Sequence, residues 1–110
     1  MAFYTYIVAS QRNGTLYTGS TDALIKRTVQ HREKRFSGFT AKYGCATLVW
    51  FEPHETRHAA FVRERQIKKW YRVWKLELIE KSNPGWRDLF DAVLRLSLGP
   101  RFRGDERKFG

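Results

Sequence analysis

Phe3-Tyr4-Thr5-Tyr6-Ile7-Val8, then Gln11-Arg12-Asn13-Gly14, then Leu16-Tyr17-Thr18 open the chain, and their reading decides the fold. The first run is β-branched and aromatic, and so is strand-forming. Asn-Gly is the strongest short hairpin signal, and strand character resumes at Leu16. A β-hairpin is therefore expected, ended by Gly19-Ser20-Thr21-Asp22, with Thr21 or Asp22 placed to cap a following helix. That helix is read over residues 23 to about 33, with Leu24, Thr28 and His31 near one stripe and Arg27 beside them. Residues 34–44 read as a basic, glycine-containing loop. Ala46-Thr47-Leu48-Val49-Trp50-Phe51 is almost continuously apolar, which predicts a buried central strand ended by Pro53. The clearest helix is read over residues 55 to about 71, with Ala60, Ile67 and Tyr71 on one face and Glu64 between them. A second helical segment follows over 72–81, after a bend near Tyr71-Arg72. Asn83-Pro84-Gly85 is a turn, and residues 86–98 read as a final helix carrying Leu89, Phe90, Val93 and Leu94. The order ββαβααα predicts a small α+β fold with three strands: one domain over residues 1–98, then a charged, mobile tail over 99–110.

The chain has 110 residues, the size of one domain with one core. With 42% hydrophobic residues it is not a wholly disordered chain. No apolar run approaches the roughly 20 residues of a membrane span. The stretch MAFYTYIVAS lacks the charged and long apolar regions of a signal peptide. The single cysteine, Cys45, excludes a disulfide scaffold and a cysteine-built zinc site. A reduced, cytoplasmic protein is the expectation. Lys and Arg number 21 against 11 Asp and Glu, a net charge of +10, which favours a polyanionic partner. Because the cations interleave with aromatics rather than following a lipid-facing pattern, nucleic acid is read ahead of a membrane surface.

Three features carry chemistry: the hairpin tyrosines Tyr6 and Tyr17, Arg27 and His31 four apart on one helix, and Glu64 on an apolar helix face. Each has a plain structural reading: strand packing, a solvated face, and a carboxylate paired with an arginine. A buried carboxylate needs a cation, from the protein or as a metal. Together the residues are the parts for hydrolysing a phosphodiester. A carboxylate holds Mg²⁺ or Mn²⁺, which prefers oxygen ligands. A guanidinium pairs with phosphate oxygens, and a base takes a proton from water. A free tyrosine has a pKa of about 10, so a tyrosine base requires a neighbouring cation.

Tyr4-Thr5-Tyr6 and Tyr17-Thr18-Gly19 resemble the two short motifs that name the GIY-YIG nuclease superfamily, although Tyr4 stands where the first motif has glycine. Arg27 and His31 follow. Residues 60–70, AFVRERQIKKW, look like the AxxxExxIKxW segment of the small stand-alone bacterial members. Residues 82–89, SNPGWRDL, are similar to their NPxWxDL ending. The resemblance covers about residues 3 to 89. It implies a three-stranded antiparallel sheet flanked by helices, and a hydrolytic endonuclease using one divalent ion, Mg²⁺ or Mn²⁺. By position, Tyr17 matches the tyrosine proposed as general base or water-positioner, and Tyr6 the one that helps place phosphate and water. Arg27 matches the arginine that stabilises phosphoryl charge, and His31 the His or Tyr near the nucleophile. Glu64 matches the single metal ligand, and Asn83 a late polar residue that supports the site. Some members carry a lysine three residues after the second-motif tyrosine; here that residue is Ser20, so either a nearby cation such as Lys26 substitutes or the activity is weaker.

His54-Glu55-Thr56-Arg57-His58 reads as H-E-x-x-H, the zinc-protease signature. Pro53 puts His54 at or before the first helical turn, whereas that site needs both histidines inside a helix. Two surface histidines near a helix start are the better reading.

Lys26, Arg32, Lys34, Arg35, Lys42, Arg63, Lys68 and Lys69 are read as a nucleic-acid-binding tract, extended by Arg72 and Lys75, with Phe36, Phe39 and Tyr43 placed to touch bases or sugars. Phosphate contacts give affinity without sequence information, so salt-sensitive, structure-directed or weakly sequence-specific action on DNA is expected, with RNA left open. The rival is a non-catalytic nucleic-acid-binding protein that keeps the fold. The apolar final helix also raises a homodimer.

Overall fold

A computed structural model describes residues 2–33 and 44–95. The opening hairpin pairs β1 (Phe3–Ala9) with β2 (Leu16–Thr21) in an antiparallel register running from Tyr4↔Thr21 to Ala9↔Leu16. Its loop closes where Ser10 N donates to Thr15 O (3.0 Å) and Gly14 N to Gln11 O (2.9 Å). Asn13 takes φ 57°, a left-handed conformation that asparagine tolerates. β3 (Thr47–His54) pairs antiparallel with β1, giving the sheet order β2-β1-β3.

β3 is thus an edge strand, and β1, not β3, is central. Its apolar run reports cover on both faces rather than a central place. Leu48 joins a cluster with Tyr6, Val8, Leu24, Cys45 and Val93, while Val49 and Trp50 join Ile7, Ala9, Ile67, Ile79 and Trp86 on the other side. Two consecutive β3 residues share a face because a bulge opens there: Ile7 pairs with Trp50 and Val8 with Leu48, leaving Val49 over. Nor does Pro53 end the strand, which continues to His54. An edge strand accepts proline because one of its sides needs no ladder donor.

α1 (Leu24–Arg32) buries Leu24, Thr28 and His31 as its stripe predicts. Neither expected cap forms. Ala23 is the N-cap residue, and Thr21 Oγ1 instead accepts from Ala23 N (2.9 Å), fixing the strand-to-helix corner. α2 (Arg57–Lys68) starts at Thr56, whose side chain accepts from Ala59 N (3.0 Å). It packs on β1 and β2 through Ala60 and Ile67. It is shorter than its apolar spacing predicts. Lys69 N and Trp70 N turn to the carbonyls three residues back, and Tyr71 lies outside the helix and exposed. α3 (Arg72–Ser82) follows, burying Ile79.

The final helix differs most from expectation. Trp86 has φ 56°, which no helix start allows, and its N–H bonds Asn83 O (3.0 Å). Among the described residues helix resumes only over 90–95, after Asp88 Oδ1 accepts from Phe90 N (3.1 Å). The remainder of that helix, the tail and most of the first long loop lie outside the described residues. Among those described, no helix is long and apolar enough to cross a membrane.

Candidate active site

The two tyrosine motifs lie side by side because the hairpin register puts Tyr6 opposite Gly19 and Val8 opposite Tyr17. Tyr6 and Tyr17 are therefore diagonal neighbours on one face of the sheet, with ring centroids 6.5 Å apart. α1 lays His31 against both, 5.7 Å from the Tyr6 ring and 5.5 Å from the Tyr17 ring. Tyr6 OH and His31 Nε2 are 3.1 Å apart. Gly19 is required here: a Cβ would stand 2.6 Å from Tyr6 OH.

Burial raises the Tyr6 pKa well above the usual tyrosine range, with Tyr17 adding to the effect, so Tyr6 remains a phenol. Burial, and then the Arg27 charge, push His31 down to about 4, so it is a neutral imidazole near neutral pH. Arg27 lies exposed one turn before His31 on α1, and its charge acts on both Tyr6 and His31.

Glu64 approaches the same cluster from α2, with its side chain only 13% exposed. Ser20 Oγ donates to Oε1 (2.6 Å), and Lys68 Nζ, one turn on, pairs with Oε2 (2.6 Å). Lys68 Nζ also lies 5.7 Å from the Tyr17 ring centroid. Lys68 is thus a cation beside Tyr17. Lys26 lines a separate hollow with Tyr4, Asp22 and Val93. The Glu64–Lys68 spacing was legible as i,i+4, but the Ser20 bond spans 44 residues and left no local signal.

Tyr6, Tyr17, Arg27, His31 and Glu64 therefore converge, and Asn83 stands apart. Its side chain donates to Val49 O (3.1 Å) and Arg87 O (2.8 Å) and accepts from Arg87 N (3.1 Å), which ties the end of α3 to β3. Three of the expected nucleic-acid cations are paired within the chain, Lys68 with Glu64 among them. Arg32 pairs with Asp88 and lies over Phe90, while Arg63 bonds Glu52 (3.1 Å) and lies over Trp50 and Trp70. Lys69 is exposed at the end of α2. Lys34, Arg35, Lys42, Phe36, Phe39 and Tyr43 lie outside the described residues. The H-E-x-x-H histidines sit on different elements. His54 is in β3, bonded to Thr5 and Glu52, and His58 is exposed in α2.

The model of the GIY-YIG catalytic domain matches residues 2–77. The chain belongs to the GIY-YIG family, which makes it a nuclease-type domain with nucleic acid as the class of partner. Among its relatives are a UPF0213 protein of Clostridium perfringens, 38% identical over 73% of this chain and 85% of its own length, and one of Staphylococcus saprophyticus, 35% identical over 72% of this chain and 95% of its own. The solution NMR structure of a UPF0213 protein from Bacillus halodurans shares the fold at a TM-score of 0.50 and 24% identity, covering 80% of this chain and 93% of that one.

Nucleases of this family generally work with a divalent ion. Among the described residues no group of three or more His, Cys, Asp or Glu forms a self-sufficient metal cage. A lone carboxylate still fits Mg²⁺ or Mn²⁺, which keep several waters and bind through one or two carboxylates plus substrate phosphate. Glu64 is the carboxylate that could serve such an ion, with Ser20 on Oε1 and Lys68 on Oε2, so an ion would have to displace the lysine.

Proposed function

We propose that this protein is a divalent-metal-dependent endonuclease that hydrolyses phosphodiester bonds in DNA, acting in the cytoplasm, with RNA an open substrate and DNA structure rather than sequence guiding the cut. The observation that carries it is the convergence of Tyr6, Tyr17, Arg27, His31 and Glu64 from four elements, β1, β2, α1 and α2. Glu64 would hold the ion, which when bound withdraws charge from the phosphate and the leaving oxygen. The Arg27 guanidinium, exposed at the rim, pairs with phosphate oxygens. Tyr17, half-buried and reachable, orients the attacking water or takes its proton. Tyr6, a buried phenol bonded to His31, fixes the imidazole. His31, neutral, packs against both tyrosine rings and orients them.

One observation favours a second reading, a non-catalytic nucleic-acid-binding protein with this fold. Ser20 and Lys68 already satisfy Glu64, so the carboxylate has a structural role without any ion. Glu64→Ala separates the two. On the enzyme reading the variant loses cleavage of plasmid and flap substrates and keeps its affinity in EDTA. A wild type that binds but cuts no DNA form with any divalent metal supports the binder.

A further inference from the structure

The corner between α2 and α3 carries an aromatic group that the nuclease site does not use. Trp70 is half-buried against the core, which fixes its ring. The Trp74 ring stands edge-on to it at 6.4 Å and 84°, and the Tyr71 ring stands 5.0 Å from Trp74 at 72°. Tyr71 is 72% exposed and Trp74 47%. The backbone holds them there: Lys69 and Trp70 close α2, and Trp74 N bonds Tyr71 O (3.0 Å) at the start of α3.

The stretch of chain that carries these rings is basic, with Glu64 and Glu77 as its flanking acids. Residues 65–76 contain Arg65, Lys68, Lys69, Arg72 and Lys75 and no acid. Burial lowers the Lys75 pKa, with the neighbouring Arg72 and Lys68 charges adding to the effect. The patch is also continuous with the candidate site. Lys68 touches Glu64 and faces Tyr17, while Arg72 Nη2 donates to Asn13 O and Gly14 O (2.7 Å each) on the hairpin that carries both tyrosines. Behind Trp74 a groove is lined by Trp70, Glu77, Leu78 and Lys81, whose one acid repels phosphate but not a neutral base.

We infer that Tyr71 and Trp74 form a stacking platform for unpaired bases of single-stranded nucleic acid, whose phosphates run along Lys68, Lys69, Arg72 and Lys75 toward the candidate site. The inference deepens the nuclease reading and rests on it for the identity of the polyanion. Every base has a face that stacks on an aromatic ring, but in a duplex those faces are already covered. The platform therefore selects single strands, flaps or frayed ends over intact duplex.

The test is fluorescence anisotropy of a labelled oligo-dT and a blunt duplex with the full chain in EDTA. Wild type is compared with Trp74→Ala, Trp74→Phe and the more exposed Tyr71→Ala, each checked for folding by circular dichroism. Trp74→Ala and Tyr71→Ala are expected to weaken oligo-dT binding by about fivefold or more and duplex binding by less than about twofold, with Trp74→Phe retaining affinity. Equal loss on both ligands, or no loss on oligo-dT, overturns the platform. So does unchanged oligo affinity with an altered mass in light scattering, which would make the patch a contact between copies. Metal-dependent cutting without single-strand preference removes the platform alone, whereas single-strand preference lost in Trp74→Ala, with no cutting at all, keeps the platform and removes the nuclease.

Discussion

His31 shows how one side chain couples the site to stability. Its pKa is pushed down to about 4 in the fold by burial and then by Arg27, against about 6.5 when unfolded. Between those values the unfolded chain binds the proton and the folded one resists it, so stability falls as pH drops from 6.5 toward 4. The loss amounts to at most about 3 kcal/mol. Urea midpoints at pH 7 and pH 4.5 are expected to separate more in wild type than in His31→Gln; equal separations would place the titration elsewhere. Lys68 makes a different prediction. It occupies the Glu64 oxygen opposite the one that Ser20 holds, so it competes with a cation for the carboxylate. Lys68→Met is expected to tighten Mn²⁺ binding severalfold in calorimetry, and Glu64→Gln to abolish it. Unchanged affinity in Lys68→Met would mean that the lysine does not compete. Tyr6, Tyr17, Arg27, His31 and Glu64 could be singled out in the sequence because two short motifs and one helical spacing mark them. Lys68 could be seen as an i,i+4 partner of Glu64 but not as a neighbour of Tyr17, since its place over that ring depends on how α2 crosses the hairpin.

Elements with their own hydrophobic period were legible: both hairpin strands, α1, and α2 apart from its ends. What failed was what neighbours decide. Strand order is not a local property, and the apolar run of β3 means the same at an edge covered on both faces as at the centre. Trp86 looked like a helix start, but its indole is buried and Nε1 donates to Glu80 (2.8 Å), and these contacts hold the backbone at φ 56°. Asn83 belongs to this scale. With three bonds to backbone atoms, Asn83→Ala strands a buried carbonyl and an amide, a loss of about 1–3 kcal/mol. Chemical denaturation is expected to show that loss, while the turnover of the folded fraction stays near wild type. A turnover collapse with stability intact would return Asn83 to the site.

At the scale of the whole molecule, the charge of +10 implied a polyanion but not which cations face it. Arg32 and Arg63 pair with Asp88 and Glu52, engagements that composition does not reveal. Lys69→Ala is therefore expected to lower the slope of log affinity against log salt by about 0.7 on single strands, and Arg63→Ala to leave it nearly unchanged. The reverse order would move the binding tract across α2. The hairpin, α1 and α2 each hold part of one cluster, and the account stands or falls on whether that cluster cuts DNA. The most direct measurement is nicking of supercoiled plasmid by the purified chain with Mg²⁺, with Mn²⁺ and with EDTA, beside Glu64→Ala and Tyr17→Phe. Metal-dependent nicking is expected, stopped by EDTA and abolished by both substitutions. Nicking that survives both substitutions, or none with either metal, would contradict it.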